Sequence, residues 1–220
     1  MTSESTSSRP GPGGTPTNAG LPWSPPDLDH WVSADSPFRY ATFRRCLVPG
    51  AGDEILSWLE QDAPWSLTEA DFYEQHEFSC WDSLSPIASF LSSKEVLEAV
   101  RHGMTAIFDS AFDDEVNVVF HRLLPPQRIG IHNDYLAGEE THRLIIQLNR
   151  GMSDSDGGVL MLFNSDDPTD IHKLLRPVNL SGFAFEISAD SHHAVSQVHG
   201  GARYTLIYSL RAILRSNDAA

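Results

Sequence analysis

Val116-Asn-Val-Val-Phe-His-Arg-Leu-Leu-Pro-Pro-Gln-Arg-Ile-Gly-Ile-His-Asn-Asp134 is the stretch on which the fold turns. A run rich in β-branched and apolar residues ends at Pro125-Pro126, and a second short run leads into His132 and Asp134. The same rhythm continues to the end of the chain. Strands are expected at about 116–124, 128–135, 142–149, 158–163, 169–176, 182–187, 192–198 and 202–212, with Asp156-Gly157-Gly158 as a further turn. Eight short strands at near-regular spacing predict a mainly β chain built as an antiparallel sandwich or barrel.

Upstream the pattern changes. Phe38 to Val48 reads as a strand, and a helix is expected from Asp53, with Ile55, Leu56 and Leu59 on one face. Ser92 and Glu95 have capping-box spacing. Val96, Val100, Met104, Ile107, Phe108 and Phe112 then recur at helical intervals despite Gly103. That stripe is suited to covering a sheet. The aromatic segment from Trp65 to Trp81, punctuated by Pro64 and Pro86, suggests short strands or an ordered loop.

The chain has 220 residues, enough for one core. Residues 1–37 hold seven of the fourteen prolines among Ser, Thr and Gly, and are expected to be disordered. The single folded domain is expected over 38–214, its β core over about 116–212, with a flexible tail at 215–220. Thirty acidic residues against fifteen basic ones give a net charge of −15, which repels nucleic-acid phosphates and anionic lipid, so neither partner is expected. Two cysteines without CxxC spacing argue against a disulfide framework or a cysteine zinc site, and a reducing cytoplasm fits. No apolar run approaches a membrane span, and no secretory signal is evident at the start.

Ten histidines stand out, and His132-Asn133-Asp134 is the one H-x-D among them. On a strand, residues two apart point to the same face, so an imidazole and a carboxylate would stand side by side. Two histidines and one carboxylate can hold non-haem Fe(II) on one face of an octahedron and leave three positions open. A third ligand from a distant strand completes such a set. His193, in Ser191-His192-His193-Ala-Val, qualifies, and Arg203 ten residues later offers a bidentate clamp for a carboxylate.

His132-x-Asp134, then about sixty residues later His193-x-Val195, closing with Gly201-x-Arg203, resembles the Fe(II)- and 2-oxoglutarate-dependent dioxygenases, the prolyl-4-hydroxylase-like branch being nearest. The resemblance runs from about Val116 to Arg211. It also takes in Gln147-Leu148-Asn149, Gly157-Gly158-Val-Leu, and Pro177 followed by Phe183 and Phe185. It implies a double-stranded β-helix, a jelly-roll of cupin-like form, with the N-terminal helices packed on one sheet. It further implies iron on His132, Asp134 and His193, and Arg203 gripping the distal carboxylate of 2-oxoglutarate, helped by Thr205. Of the two adjacent histidines, His193 has the family's H-x-V and plus-ten arginine spacings. His121, His142, His172 and His199 are then given structural or surface roles.

The chain departs from the family pattern at Gln147, where tyrosine often helps hold the cosubstrate, and at Ser209, where an aromatic residue is common. An amide at 147 can still donate a hydrogen bond. Retention of Asp134 favours oxygenation over the halogenation seen where that carboxylate is lost. The implied reaction consumes O2 and 2-oxoglutarate, releases succinate and CO2, and hydroxylates an unactivated carbon. No protein side chain beyond the metal ligands need act as acid or nucleophile.

Substrate recognition is expected from Arg143, which shares strand parity with Ile145 and Gln147, and from Arg122. An inward arginine suits a substrate carboxylate, so a small-molecule substrate, an amino acid or derivative, is the leading expectation. A prolyl hydroxylase acting on a peptide or protein is the rival of the same mechanism. A non-catalytic β-helix binding module is the rival of another class. A cupin-type site would show H-x-H followed by glutamate, which is absent.

Overall fold

The alternation of side chains along each strand divides the molecule into a helix-covered side and an inner side. The computed structural model describes residues 23–213. Its strands are β1 (Trp31–Ala34), β2 (Tyr40–Phe43), β3 (Ser66–Ala70), β4 (Tyr73–Ser79), β5 (Phe112–Leu123), β6 (Ile129–His132), β7 (His142–Leu148), β8 (Leu160–Phe163), β9 (Ile171–Leu175), β10 (Gly182–Glu186), β11 (His193–Val195) and β12 (Arg203–Ala212). Three helices precede β5: α1 (Pro49–Gln61), α2 (Pro86–Leu91) and α3 (Lys94–Phe108). The strands join in the order β1-β2-β10-β7-β12-β5-β4-β6-β11-β8-β9, with β3 pairing β4. All pairings are antiparallel, and β4 meets β6 only through Tyr73 and Ile129. The sheet curls there, and its two halves face each other as a double-stranded β-helix. All eight strands expected after Asp114 are present.

On β12, Leu206, Tyr208 and Leu210 point to the helices, as do Leu144, Ile146 and Leu148 of β7. They pack against Ile55, Leu56 and Leu59 of α1 and Val96, Val100, Met104, Ile107 and Phe108 of α3. Ile207 and Ile145 point the other way and join Phe183, Phe185, Leu160 and Val195 between the facing sheet halves. Burying each such side chain contributes about 1.5–3 kcal/mol. Gly103 lies within the continuous α3 with Leu28 packed against it, and a Cβ there would come 2.7 Å from Leu28 Cδ1.

Several local expectations are corrected. Trp31–Ala34 forms β1 and pairs with β2, inside the stretch expected to be disordered through residue 37, because its β-prone residues find an edge to extend. The remainder of that stretch up to residue 22, and the expected tail at 215–220, lie outside the described residues. α1 starts at Pro49, four residues before Asp53, as proline suits a first helical turn. α3 is capped by Ser93, not Ser92: the Ser93 hydroxyl accepts from the Val96 amide. Trp65–Trp81 resolves into the β3–β4 hairpin and a short 3-10 turn. No described helix is long and apolar enough to cross a membrane.

Candidate metal centre and cosubstrate cleft

β6 and β11 pair in a register that sets His132 directly opposite His193. The intervening turns are tied together by side chains. Asn133 Nδ2 donates to the Ala189 carbonyl at 2.9 Å, and the Ser191 hydroxyl donates to the Asn133 carbonyl at 2.8 Å. His132 Nδ1 lies 2.9 Å from the Gly130 carbonyl and His193 Nδ1 2.8 Å from the Ser191 carbonyl. A carbonyl only accepts, so each Nδ1 carries the proton and each Nε2 keeps a free lone pair.

Both lone pairs converge on Asp134. His132 Nε2 is 3.4 Å from Asp134 Oδ1 and His193 Nε2 is 3.2 Å from Oδ2. One donor atom from each residue lies within 4.8 Å of the other two. Ligands adjacent on an octahedron with bonds near 2.1 Å are about 3 Å apart, so the donor set fits a small divalent cation, and His192 is not part of it. Asp134 adopts φ +58°, a left-handed conformation costing about 1–3 kcal/mol for a residue with a Cβ. Burial resists its ionisation, but the charge of the Arg143 guanidinium overcomes this and holds its carboxyl well below the usual range. Burial, the dominant influence, lowers the His193 pKa and keeps the ring neutral, the form that can bind a metal.

Arg203, at the start of β12, is 4% exposed, and no carboxylate ion-pairs with it among the described residues. Its Nε has no hydrogen-bond partner, and burial draws its pKa down to about 10. A buried guanidinium without an anion is costly. A ligand carboxylate would satisfy it. Thr205, two residues on, shares this wall of a cleft that also contains His132, Asp134 and His193. The cleft, of about 1170 Å³, therefore fits both an iron ion and a dicarboxylate such as 2-oxoglutarate.

Across β7, β12 and β5, Gln147, Thr205 and His121 form a row in register. Gln147 is 4% exposed with its Oε1 unpartnered, yet it lines an adjoining cavity with Leu160 and Phe183, not the main cleft. His121 does line the cleft, contrary to the structural or surface role expected of it. Its Nε2 lies 3.5 Å from Glu77 Oε2, and burial, reinforced by the nearby Arg143 and Arg203 charges, pushes its pKa to about 3.

The two arginines expected to receive substrate are placed otherwise. Arg122 has the parity of Phe120 and so leaves the opposite face of β5 from His121. Its guanidinium lies 4.7 Å from the Trp65 ring centroid, outside the cleft, which corrects its assignment. Arg143 does face the cleft, but its charge is taken up by Asp134 and Glu140.

Sequence reading missed Asn133, Ser191 and the polar groups that β3 and β4 bring to the cleft wall, although the Trp65–Trp81 segment that carries them could be read as the side of a groove. There Gln75 donates to Glu77 at 2.8 Å and Thr68 to Glu77 at 3.0 Å. Phe72, in the β3–β4 turn, stacks on His132 with centroids 4.9 Å apart. The alternating polar residues Tyr73, Gln75 and Glu77 were the available signal for a strand facing a polar cleft.

The same architecture recurs in solved structures. A prolyl-4-hydroxylase from Pseudomonas putida superposes with TM-score 0.65 at 14% identity, covering 80% of this chain and 93% of that one. A prolyl hydroxylase from Trichoplax adhaerens, solved with a hypoxia-inducible-factor peptide fragment, gives TM-score 0.64 at 11% identity, covering 78% and 83%. The fold is that of the prolyl hydroxylases. A 2-oxoglutarate–Fe(II) oxygenase family member from Burkholderia pseudomallei gives TM-score 0.53 at 16% identity, covering 72% and 77%. No family model and no curated protein sequence matches the chain. The likeness therefore lies in the fold, and the chemistry must be argued from the residues.

Proposed function

We propose that the chain is an Fe(II)- and 2-oxoglutarate-dependent hydroxylase. One observation carries the reading: two imidazoles with free Nε2 atoms meet one carboxylate in the same cleft as a buried arginine that lacks an anion. His132, Asp134 and His193 would hold the metal, and Arg203 with Thr205 would hold the distal carboxylate of the cosubstrate. Bound iron and 2-oxoglutarate supply oxidative decarboxylation, with release of succinate and CO2, coupled to oxygen insertion into a C–H bond. The side chains bind, orient and exclude water. Ile145, Ile207, Leu160 and Val195 form an apolar lining beside the polar groups of the cleft.

For the substrate, the free amino acid expected from the sequence depended on an arginine free to grip its carboxylate, and Arg143 is already paired with two acids. The cleft exceeds the roughly 300–1000 Å³ usual for a drug-sized ligand. Exposed Phe72, Trp81 and Leu136 flank it, and Asp82, Asp113, Glu115 and Glu139 contribute to its walls. These features favour a segment of polypeptide, with basic character, over a free amino acid.

Anaerobic addition of Fe(II) and 2-oxoglutarate should give a visible charge-transfer band that His132→Ala abolishes and that Arg203→Met restores only at much higher 2-oxoglutarate. Admission of oxygen should then form succinate faster with a basic peptide panel than with free amino acids. Absence of the band in the wild type would defeat the hydroxylase reading and leave a binding module. A response to amino acids alone would return the small-molecule substrate.

A further inference from the structure

Arg143 makes contacts that suit a task other than substrate binding. Its Nη1 lies 2.6 Å from Asp134 Oδ2, its Nε 3.3 Å from Glu140 Oε2, and its Nη2 pairs with Glu140 Oε1. All three side chains are largely buried, at 17%, 13% and 22% exposure for Arg143, Asp134 and Glu140. The two oxygens of Asp134 are thereby distinguished. Oδ2 is engaged by the guanidinium and lies near His193 Nε2. Oδ1 faces His132 Nε2 and has no Lys or Arg partner among the described residues.

We propose that Arg143 is a positioning residue that makes Asp134 a one-oxygen ligand. This rests on the hydroxylase reading. A carboxylate is free to bind a metal through one oxygen or two, and the second mode would occupy a position that 2-oxoglutarate or dioxygen requires. A strong charge-assisted hydrogen bond to Oδ2 opposes that mode and fixes the rotation of the carboxylate. Glu140 acts from the far side. It engages the remaining edge of the guanidinium and holds Arg143 against Asp134, so that the loop between these two acids closes on a single arginine. The left-handed backbone of Asp134 makes such restraint valuable, because the residue has no regular secondary structure to fix it.

The test is Co(II) affinity, measured by calorimetry without 2-oxoglutarate or oxygen, for wild type, Arg143→Gln, Arg143→Lys and Glu140→Gln, with metal-free melting temperatures as the control for folding. Loss of an outer partner of a metal ligand weakens binding by about 10–100-fold. Arg143→Gln should fall in that range while its metal-free form still melts cooperatively, at a lower temperature because two largely buried carboxylates lose their cation. Arg143→Lys, which keeps charge and one donor, should recover most of the loss, and Glu140→Gln should lose several-fold. Affinities within twofold of wild type for Arg143→Gln, or for both other variants should that one not fold, overturn the proposal. Failure of the wild type to bind Co(II) would defeat the hydroxylase reading itself, a different result.

Discussion

The Ser191 hydroxyl donates to the Asn133 carbonyl oxygen across 2.8 Å, joining the turn that carries Asp134 to the turn that precedes His193. Asn133 returns a bond to Ala189, and its Oδ1 accepts the Tyr135 amide at 3.1 Å. These contacts set the spacing of the three candidate ligands, although none of the participating side chains touches the metal position.

Asn133→Ala should therefore lower metal affinity by about tenfold or more, as removal of outer partners does. Ser191→Ala should lower it less, since the single hydroxyl proton is shared between the Asn133 and Ser188 carbonyls and the tie to Asn133 is correspondingly weaker. Each lost hydrogen bond should destabilise the metal-free protein by only about 0.5–1.5 kcal/mol. Mn(II) titration beside thermal melting separates the two effects. Unaltered affinity in Asn133→Ala would show that strand pairing alone spaces the ligands.

A second expectation concerns the β3–β4 hairpin. The Gly130 amide donates to the Phe72 carbonyl at 2.7 Å, and a Cβ at position 130 would stand 3.2 Å from that oxygen. Glycine in a strand permits this close approach of two backbones. Gly130→Val should push the turn away from His132 and break the stacking of Phe72. Hydrogen exchange should then accelerate in residues 66–79 while the amides of β7 and β12 keep their protection. Equal exchange in the hairpin of both proteins would mean that the turn absorbs the added bulk.

The strands were legible because turn residues punctuate a repeating apolar pattern, and the H-x-D pair because strand periodicity puts both groups on one side. Which side each residue takes was less legible. Val118-Val119-Phe120-His121-Arg122 is apolar on both faces, so the alternation gives no direction, and an error of one residue exchanges His121 with Arg122. The long-range pairings of His121 with Thr205 on one side and Glu77 on the other fix it. Asn133 and Ser191 escaped notice for a similar reason: their bond spans 58 residues, and neither carries a local signal. Arg143 lines the cleft, on the side that its strand parity with Ile145 suggested. Its partner Glu140, three residues away, was present in the sequence, but a loop conformation was needed to bring Asp134 to the same guanidinium.

A final expectation arises away from the cleft, at His142. This imidazole is 3% exposed and lies edge-on between the Phe108 and Phe112 rings, with Nδ1 2.9 Å from the Thr141 hydroxyl and Nε2 without a partner. Burial, aided by the charge of Arg39, lowers its pKa from 6.5 to about 4. The unfolded chain therefore takes up a proton at this residue near pH 6.5, whereas the folded protein does so only near pH 4. Stability from this group is fully present above pH 6.5 and is lost as pH falls from there through 4, by an amount on the order of 3 kcal/mol. His142→Leu keeps an apolar side chain between the two rings and removes the titration. Thr141 Oγ1 still accepts the Ala212 amide at 2.7 Å, so the hydroxyl is not stranded. Urea unfolding at a series of pH values should show the wild type losing about 3 kcal/mol more than the variant between pH 7 and 4. Parallel curves for the two proteins would mean that the folded state accommodates the charged imidazole, and would remove His142 from the account of acid sensitivity.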